Sequence, residues 1–172
     1  MGLFFWIDMK HWVISDTHLG HEACKKFCGR PDHFEDKILK ACEQIAEDDV
    51  LIHLGDVSFH DDHYWQGLLR IAVKGKLWLV RGNHDSRSDT WYLNEGWDFV
   101  ADQMTLKRFG KIIVFSHTPV ADNGYDFNIH GHFHNTYHHL EPELVAIKND
   151  KQILVACEHD YRPFVLRKLI HE

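Results

Sequence analysis

Short apolar runs in this chain of 172 residues repeatedly end in side chains that bind cations or move protons. The run WVIS at 12–15 leads into Asp16-Thr17-His18, and VLIHL at 50–54 leads into Gly55-Asp56. KLWLV at 76–80 leads into Arg81-Gly82-Asn83-His84-Asp85, and KIIVF at 111–115 into Ser116-His117. DFNI at 126–129 is followed by His130-Gly131-His132-Phe133-His134. Histidine is abundant, 16 residues in all, and three of them occupy alternate positions in that last stretch. Taken alone, such a tract is a solvated loop, a group that titrates near neutral pH, or a set of metal ligands.

The other stretches supply partners, and the chemistry they share is metal binding. Carboxylate and carboxamide oxygens mixed with imidazole nitrogens suit manganese, iron or zinc better than an all-oxygen calcium or magnesium cage. Asp16, His18, Asp56, Asn83, His117, His132 and His134 are seven candidate ligands, more than one ion needs. Two ions roughly 3.5–4 Å apart that share a bridging carboxylate would use them. His132 and His134 lie two residues apart, so in extended backbone their rings leave on the same side. Gly55, Gly82 and Gly131 adjoin these residues, where backbone turns sharply or comes close to a ligand.

Such residues need a scaffold that delivers strand ends to one place. The first four runs have strand length and near-continuous hydrophobicity, as does QILVA at 152–156, which suits strands buried on both faces, and DFNI is expected as another strand. Between them lie helical patterns at 31–47, with Ile38, Leu39, Cys42, Ile45 and Ala46 on one stripe, and at 61–73, with Trp65, Leu68, Leu69 and Ala72; 90–95 is a shorter candidate. The alternation predicts an α/β domain of layered mixed β-sheet, in which ligands gather at strand carboxyl ends. TLKRFGKIIVF predicts a hairpin around Gly110, and VAIKNDKQILV another around Asn149-Asp150.

The bulk composition narrows the partners. The length suits a single domain, 1–172, with 1–8 as an extension ahead of MKHWVISDTH. No apolar run is long enough to span a membrane, and the N-terminus lacks the marks of a signal peptide, so the expected place is the cytoplasm. A net charge of −7 disfavours long nucleic acid as the main partner. Cys24, Cys28, Cys42 and Cys157 have neither disulfide-framework nor zinc-knuckle spacing and are expected as free thiols. His53 lies inside an apolar run and is expected in the core. His60, His63, His138 and His139 are expected on the surface, and His130 in a supporting or packing role.

In order, SDTH, GD, GNHD, SHTP and GHFH resemble the five signature blocks of the calcineurin-like metallophosphoesterase superfamily. SDTHLGH, HLGDVSF and the late YRP are similar to a small single-domain bacterial and phage type. The resemblance implies a four-layer α/β/β/α sandwich and two divalent ions, manganese first, with iron, zinc or nickel as alternatives. It places Asp16, His18 and His134 on one ion, Asn83, His117 and His132 on the other, and Asp56 between them. His84 matches the catalytic histidine, which as imidazolium stabilises phosphoryl charge or protonates the leaving oxygen. Asp85 either orients that ring or serves the turn. Arg81 matches a phosphate-contacting arginine of some branches or forms a surface ion pair. His21, three residues after His18, either lines the site or has no part in it, and Arg30 is a substrate contact only through the subfamily likeness.

The implied reaction is hydrolysis of phosphodiester bonds in small substrates by attack of a metal-bridging hydroxide. A phosphomonoesterase or protein phosphatase is the alternative. Against it, Val57-Ser58-Phe59-His60 follows Gly55-Asp56 where protein phosphatases carry an arginine; Arg81 is in its favour. A binding scaffold is the third possibility, but relatives of that kind lose ligands, and here every position is filled. The triplet Glu158-His159-Asp160 could reach the rim and receives no role. The oligomeric state is not legible.

Overall fold

The computed structural model describes residues 9–135 and 142–171. The extension expected at 1–8 and the histidines at 138 and 139 lie outside the described residues. Two mixed sheets pack face to face, with helices against the outer face of the first. Its strands are β1 (His11–Ile14), β2 (Val50–His53), β3 (Lys76–Val80), β4 (Phe99–Ala101) and β9 (Phe164–Val165), in the order β4-β3-β2-β1-β9. The first four are parallel, and β9 joins β1 antiparallel. The second sheet runs β5 (Gln103–Arg108), β6 (Lys111–Ser116), β7 (Phe127–His130) and β8 (Gln152–Leu154).

Alternation along the strands divides one continuous apolar run between two cores. Trp12, Ile14, Leu51, Leu77 and Leu79 face the helices, where Phe34, Ile38 and Cys42 of α2 (Phe34–Cys42) and Leu69 of α3 (Asp62–Ala72) meet them. Val13, Ile52 and Val80 face the second sheet and pack with Ile113, Phe115 and Ile129. Helix α2 is shorter than the 31–47 pattern, and Ala46, expected on its buried stripe, is exposed. Among the described residues, Asp61 caps α3 by accepting from the Tyr64 N–H, and Ser88 caps α4 (Asp89–Asn94) by accepting from the Trp91 N–H. Two further short helices are α1 (Ala23–Phe27), where Cys24 and Cys28 stand at helical spacing, and α6 (Leu166–Leu169).

The hairpin around Gly110 is present. β5 and β6 pair antiparallel through a two-residue turn in which Phe109 (φ 54°) and Gly110 (φ 73°) are both left-handed. The second expected hairpin is absent. Residues Pro142–Ala146 form helix α5, which opens on a proline as helices accept. β8 instead pairs parallel to β7, with Asn128 opposite Gln152. Asn149 does turn the chain, accepting from the Lys151 N–H, but only to send it into that parallel register. Among the described residues no helix is long and apolar enough to cross a membrane.

The strand ends are laced together before any functional group is considered. The N–H groups of Asp16, His18 and Leu19 donate to the carbonyls of Gly55, Asp56 and Val57. Buried His53 adds a polar relay, as its place in an apolar run suggested. The Gly55 N–H donates to His53 Nδ1 (3.1 Å), Nε2 donates to Thr17 Oγ1 (2.8 Å), and that hydroxyl donates to the Val57 carbonyl (2.7 Å). The relay needs a neutral ring, and burial pushes its pKa down from 6.5 to about 3. In acid, the unfolded chain therefore takes up a proton that the folded chain refuses. Stability drawn from His53 is whole above pH 6.5 and declines as pH falls toward about 3, by up to about 1.4 kcal/mol per unit. His53→Gln lacks this titration, so urea unfolding will show the gap between wild type and variant narrowing in acid. A gap independent of pH would contradict the relay.

Candidate metal centre

The carboxyl ends of β1, β2, β3, β6 and β7 converge, and Asp16 lies at the middle of the convergence. Its Oδ2 accepts from Ser15 Oγ (2.5 Å) and from the His132 N–H (2.9 Å). Its Oδ1 is buried, with no hydrogen-bond partner among the described residues, and faces His134 Nε2 at 3.8 Å and His18 Nε2 at 4.0 Å. Asp16, His18 and His134 thus present three donor atoms within 4.8 Å of one another. A buried carboxylate oxygen and two imidazole nitrogens that converge without bonding each other form a cation-sized cup.

A second cup adjoins it. Asp16, Asp56 and His117 also converge within 4.8 Å. His117 Nδ1 donates to the Leu54 carbonyl (2.7 Å), which fixes the tautomer and leaves Nε2 as the free donor. That Nε2 lies 3.0 Å from Asn83 Oδ1 and 3.2 Å from His132 Nδ1. Asp56 joins the two cups. Its Oδ1 accepts from the His84 N–H (2.9 Å), while Oδ2 stands 3.6 Å from His18 Nε2 and 3.5 Å from His117 Nε2. Burial raises the Asp56 pKa, and the charge of Asp16 raises it further. Divalent cations in the cups would relieve both effects, so the residues present fit two ions.

The backbone is bent to make this geometry. Asp16, His18, Asp56, His132 and His134 all have φ between 43° and 72°, where non-glycine residues are costly and Asp and His are over-represented. Glycine supplies the clearance. A Cβ on Gly131 would lie 1.8 Å from Ser15 Oγ and 2.3 Å from Asp16 Oδ2; one on Gly82 would lie 2.1 Å from Asp56 Oδ1.

All seven expected ligands are therefore brought together, and the remaining expected site residues separate. His84 stands at the rim, its side chain 42% exposed, with Nε2 4.0 Å from Asp56 Oδ2 and its ring edge-on to Phe59. His21 is half-buried and stacks on Phe59 at 4.1 Å, beside the cavity. His130 is packed behind, hydrogen-bonded to the Gly131 carbonyl and edge-on to Phe133. Asp85 does not orient the His84 ring. Its buried carboxylate accepts from the N–H groups of Asp56 (2.7 Å), Gly82 (2.8 Å) and Val57 (3.2 Å), and so clamps the β2 and β3 ends together. Burial pushes its pKa up to about 6 despite those three bonds.

Arg81 and Arg30 do not line the cavity, and both are held by other partners. Arg81 is drawn away by Asp102 (2.7 Å) and Asp89 (2.6 Å). Arg30 is buried behind the ligands. It donates to the carbonyls of Thr17 (2.6 Å) and Asp16 (2.5 Å) and, through Nε and NH2, to Glu158 Oε1. Glu158 is the residue that sequence reasoning left without a role. Its Oε1 accepts from His134 Nδ1 at 2.9 Å, which turns His134 Nε2 toward Asp16. The available clue was its place after an apolar run, the place that the ligands share; His159 and Asp160, beside it, are exposed. Burial opposes charge on His134, but hydrogen bonds with Cys28 and Glu158 and the charge of Asp16 raise its pKa to about 10. His134 and Arg30 in turn hold Glu158 down near 2 against its burial.

A family model described as calcineurin-like phosphoesterase matches residues 9–167. An uncharacterised protein of Methanocaldococcus jannaschii is 26% identical over 174 residues, covering 94% of this chain and 89% of its own length. A protein of unknown function from Aquifex aeolicus has a solved structure 27% identical to this chain, with a TM-score of 0.75 over 94% of this chain and 98% of that one. The structure of an archaeal phosphodiesterase shares the fold at 19% identity and TM-score 0.52, covering 92% of this chain and all of that one.

Two outcomes follow from this geometry. Chelation will lower the thermal midpoint, and Mn²⁺ will restore it in a concentration-dependent way, because binding to the folded state alone stabilises by mass action. Glu158→Gln, which keeps the shape but removes the charge behind His134, will weaken metal binding by about 10–100-fold in calorimetric titration. Unchanged affinity in that variant would mean that Glu158 does not orient His134.

Proposed function

The chain belongs to the calcineurin-like phosphoesterase family, and we propose that it hydrolyses phosphodiesters of small substrates with two divalent cations held in the adjoining cups. The observation that carries this is Asp56 Oδ2, one buried carboxylate oxygen facing His18 on one side and His117 on the other. Asp16, His18 and His134 would hold one ion, and Asn83, His117 and His132 the other, with Asp56 between. The mixed donor set favours manganese, with iron, zinc or nickel as alternatives. When bound, the ions supply Lewis acidity to a water nucleophile and to the non-bridging phosphoryl oxygens.

The chain's own contribution is position and charge. His84 is held beside the Asp56 carboxylate by its main-chain bond to Asp56 Oδ1 and by the Phe59 ring, while its imidazole stays open to the cavity. As imidazolium it offers a proton to the leaving oxygen or a positive charge to the transferring group. Phe59 packs against the rings of both His21 and His84, the two imidazoles at the edge of that opening.

The diester is favoured over the monoester by the charge around the cavity. The space is about 490 Å³, and among the described residues that line it none is lysine or arginine. A monoester dianion would have only the cations and His84 to meet its charge, whereas a diester carries one charge fewer. Arg81, which would have argued for a monoester, is paired with Asp89 and Asp102. We place the enzyme in the cytoplasm, with a small phosphate ester as its partner. The net charge of −7 argues against long nucleic acid.

The test is to load apoprotein with Mn²⁺, Ni²⁺, Zn²⁺ or Mg²⁺ and compare a bis-aryl phosphate with its mono-aryl analogue. Faster turnover of the diester is expected; a preference for the monoester would replace this assignment with a phosphomonoesterase. Two bound ions with no turnover of either would point to a binding scaffold. His84→Ala should keep both ions and lose about 10²–10⁴ in rate; full activity would remove His84 from the mechanism.

A further inference from the structure

The cavity above the cups has a second wall of a different kind. Helix α1 turns Ala23, Cys24, Phe27 and Cys28 toward it, positions that share one helical face. Cys24 is buried, Cys28 is half-buried, and Phe27, the largest of the four, is 64% exposed. Of the two lysines on α1, Lys25 is drawn off the wall by Glu22 (2.8 Å) and Asp32 (3.4 Å), and Lys26 holds its Nζ 5.5 Å from the centre of the Phe27 ring. The wall begins where the donors end: Cys24 Sγ is 3.4 Å from His21 Nδ1, and Cys28 is hydrogen-bonded to the ligand His134. A phosphorus centred over the cups therefore has apolar surface within one ester arm's length.

We propose that α1 is a specificity wall that packs a flat aromatic ring carried on the non-leaving arm of the diester, with Phe27 as its main contact. This rests on the hydrolase assignment above and deepens it by naming the substrate's second arm. A cavity of about 490 Å³ exceeds what a phosphate and a methyl arm fill and is sized for a ring. An exposed phenylalanine beside a polar site gains most from a flat apolar partner that covers it, by area and by ring geometry. A sugar-only arm would lose hydration against these four side chains without a bond in return.

The experiment keeps one leaving group and varies the other arm. Manganese-loaded protein is assayed with 4-nitrophenyl diesters of methyl, phenyl and 5′-thymidyl groups. Wild type should favour phenyl over methyl by about tenfold or more in kcat/KM, carried mainly by KM. In Phe27→Ala that ratio should fall close to one, and Phe27→Leu should retain part of it. Thymidyl at least as good as phenyl identifies the ring as a nucleobase, and phenyl above thymidyl identifies a simple aryl group. A ratio near one in wild type, or one that survives Phe27→Ala, overturns the wall. If no diester is hydrolysed although two ions are bound, the hydrolase assignment fails, and the wall is then judged by binding. Metal-loaded protein should take phenylphosphonate more tightly than methylphosphonate in calorimetry, and equal affinity would overturn the wall.

Discussion

Two carboxylates with low solvent access share one set of imidazoles, and the rest of the structure answers to that fact. Asp16 is fully buried and Asp56 nearly so. Charges in such a place are costly unless paired, and each carboxylate has one oxygen satisfied by hydrogen bonds and one left facing imidazoles. Without cations, the site draws positive charge from the protein itself, through a raised pKa at His134 and the guanidinium of Arg30 behind it. Bound ions must displace that proton, which ties the occupancy of the cups to pH.

Holding this arrangement costs backbone energy. Five of the seven proposed ligands lie in the left-handed region, at about 1–3 kcal/mol each by general experience. The offset comes from the surrounding bonds: the ladder that continues from β1 and β2 into their loops, the Asp85 clamp, and the His53 relay. Each ties one strand end to its neighbour, so no ligand can relax without disturbing a second. Gly82 and Gly131 serve the same end by leaving room where a methyl group would collide with a carboxylate.

Much of this was legible in the chain, for physical reasons that differ by element. Strands buried on both faces announce themselves as apolar runs, and β1, β2, β3 and β6 fell close to where those runs lie. The ligands were visible because polar residues directly after such runs are unusual and were repeated five times. What lay beyond reach depended on three dimensions. Arg30 and Glu158 are 128 positions apart, and neither has a local pattern that signals an ion pair. Asp85 stood next to His84 in sequence, which suggested a bond to its ring, but the turn sends its carboxylate to backbone N–H groups. The stretch before β8 read as a strand because Val145 and Ile147 are β-formers, yet it opens on a proline and coils into α5.

The Arg30–Glu158 pair has a consequence for how the centre comes into being. A chain made from its N-terminus has Asp16, His18 and Asp56 early, and Arg30 with them. The carboxylate that neutralises Arg30 and orients His134 arrives only with the turn after β8. Until it does, Arg30 has only the Thr17 and Asp16 carbonyls and no counter-charge, a costly state to bury. Closure of the metal centre is thereby coupled to the arrival of the segment that carries Glu158, which latches the Asp16 loop to the far end of the second sheet.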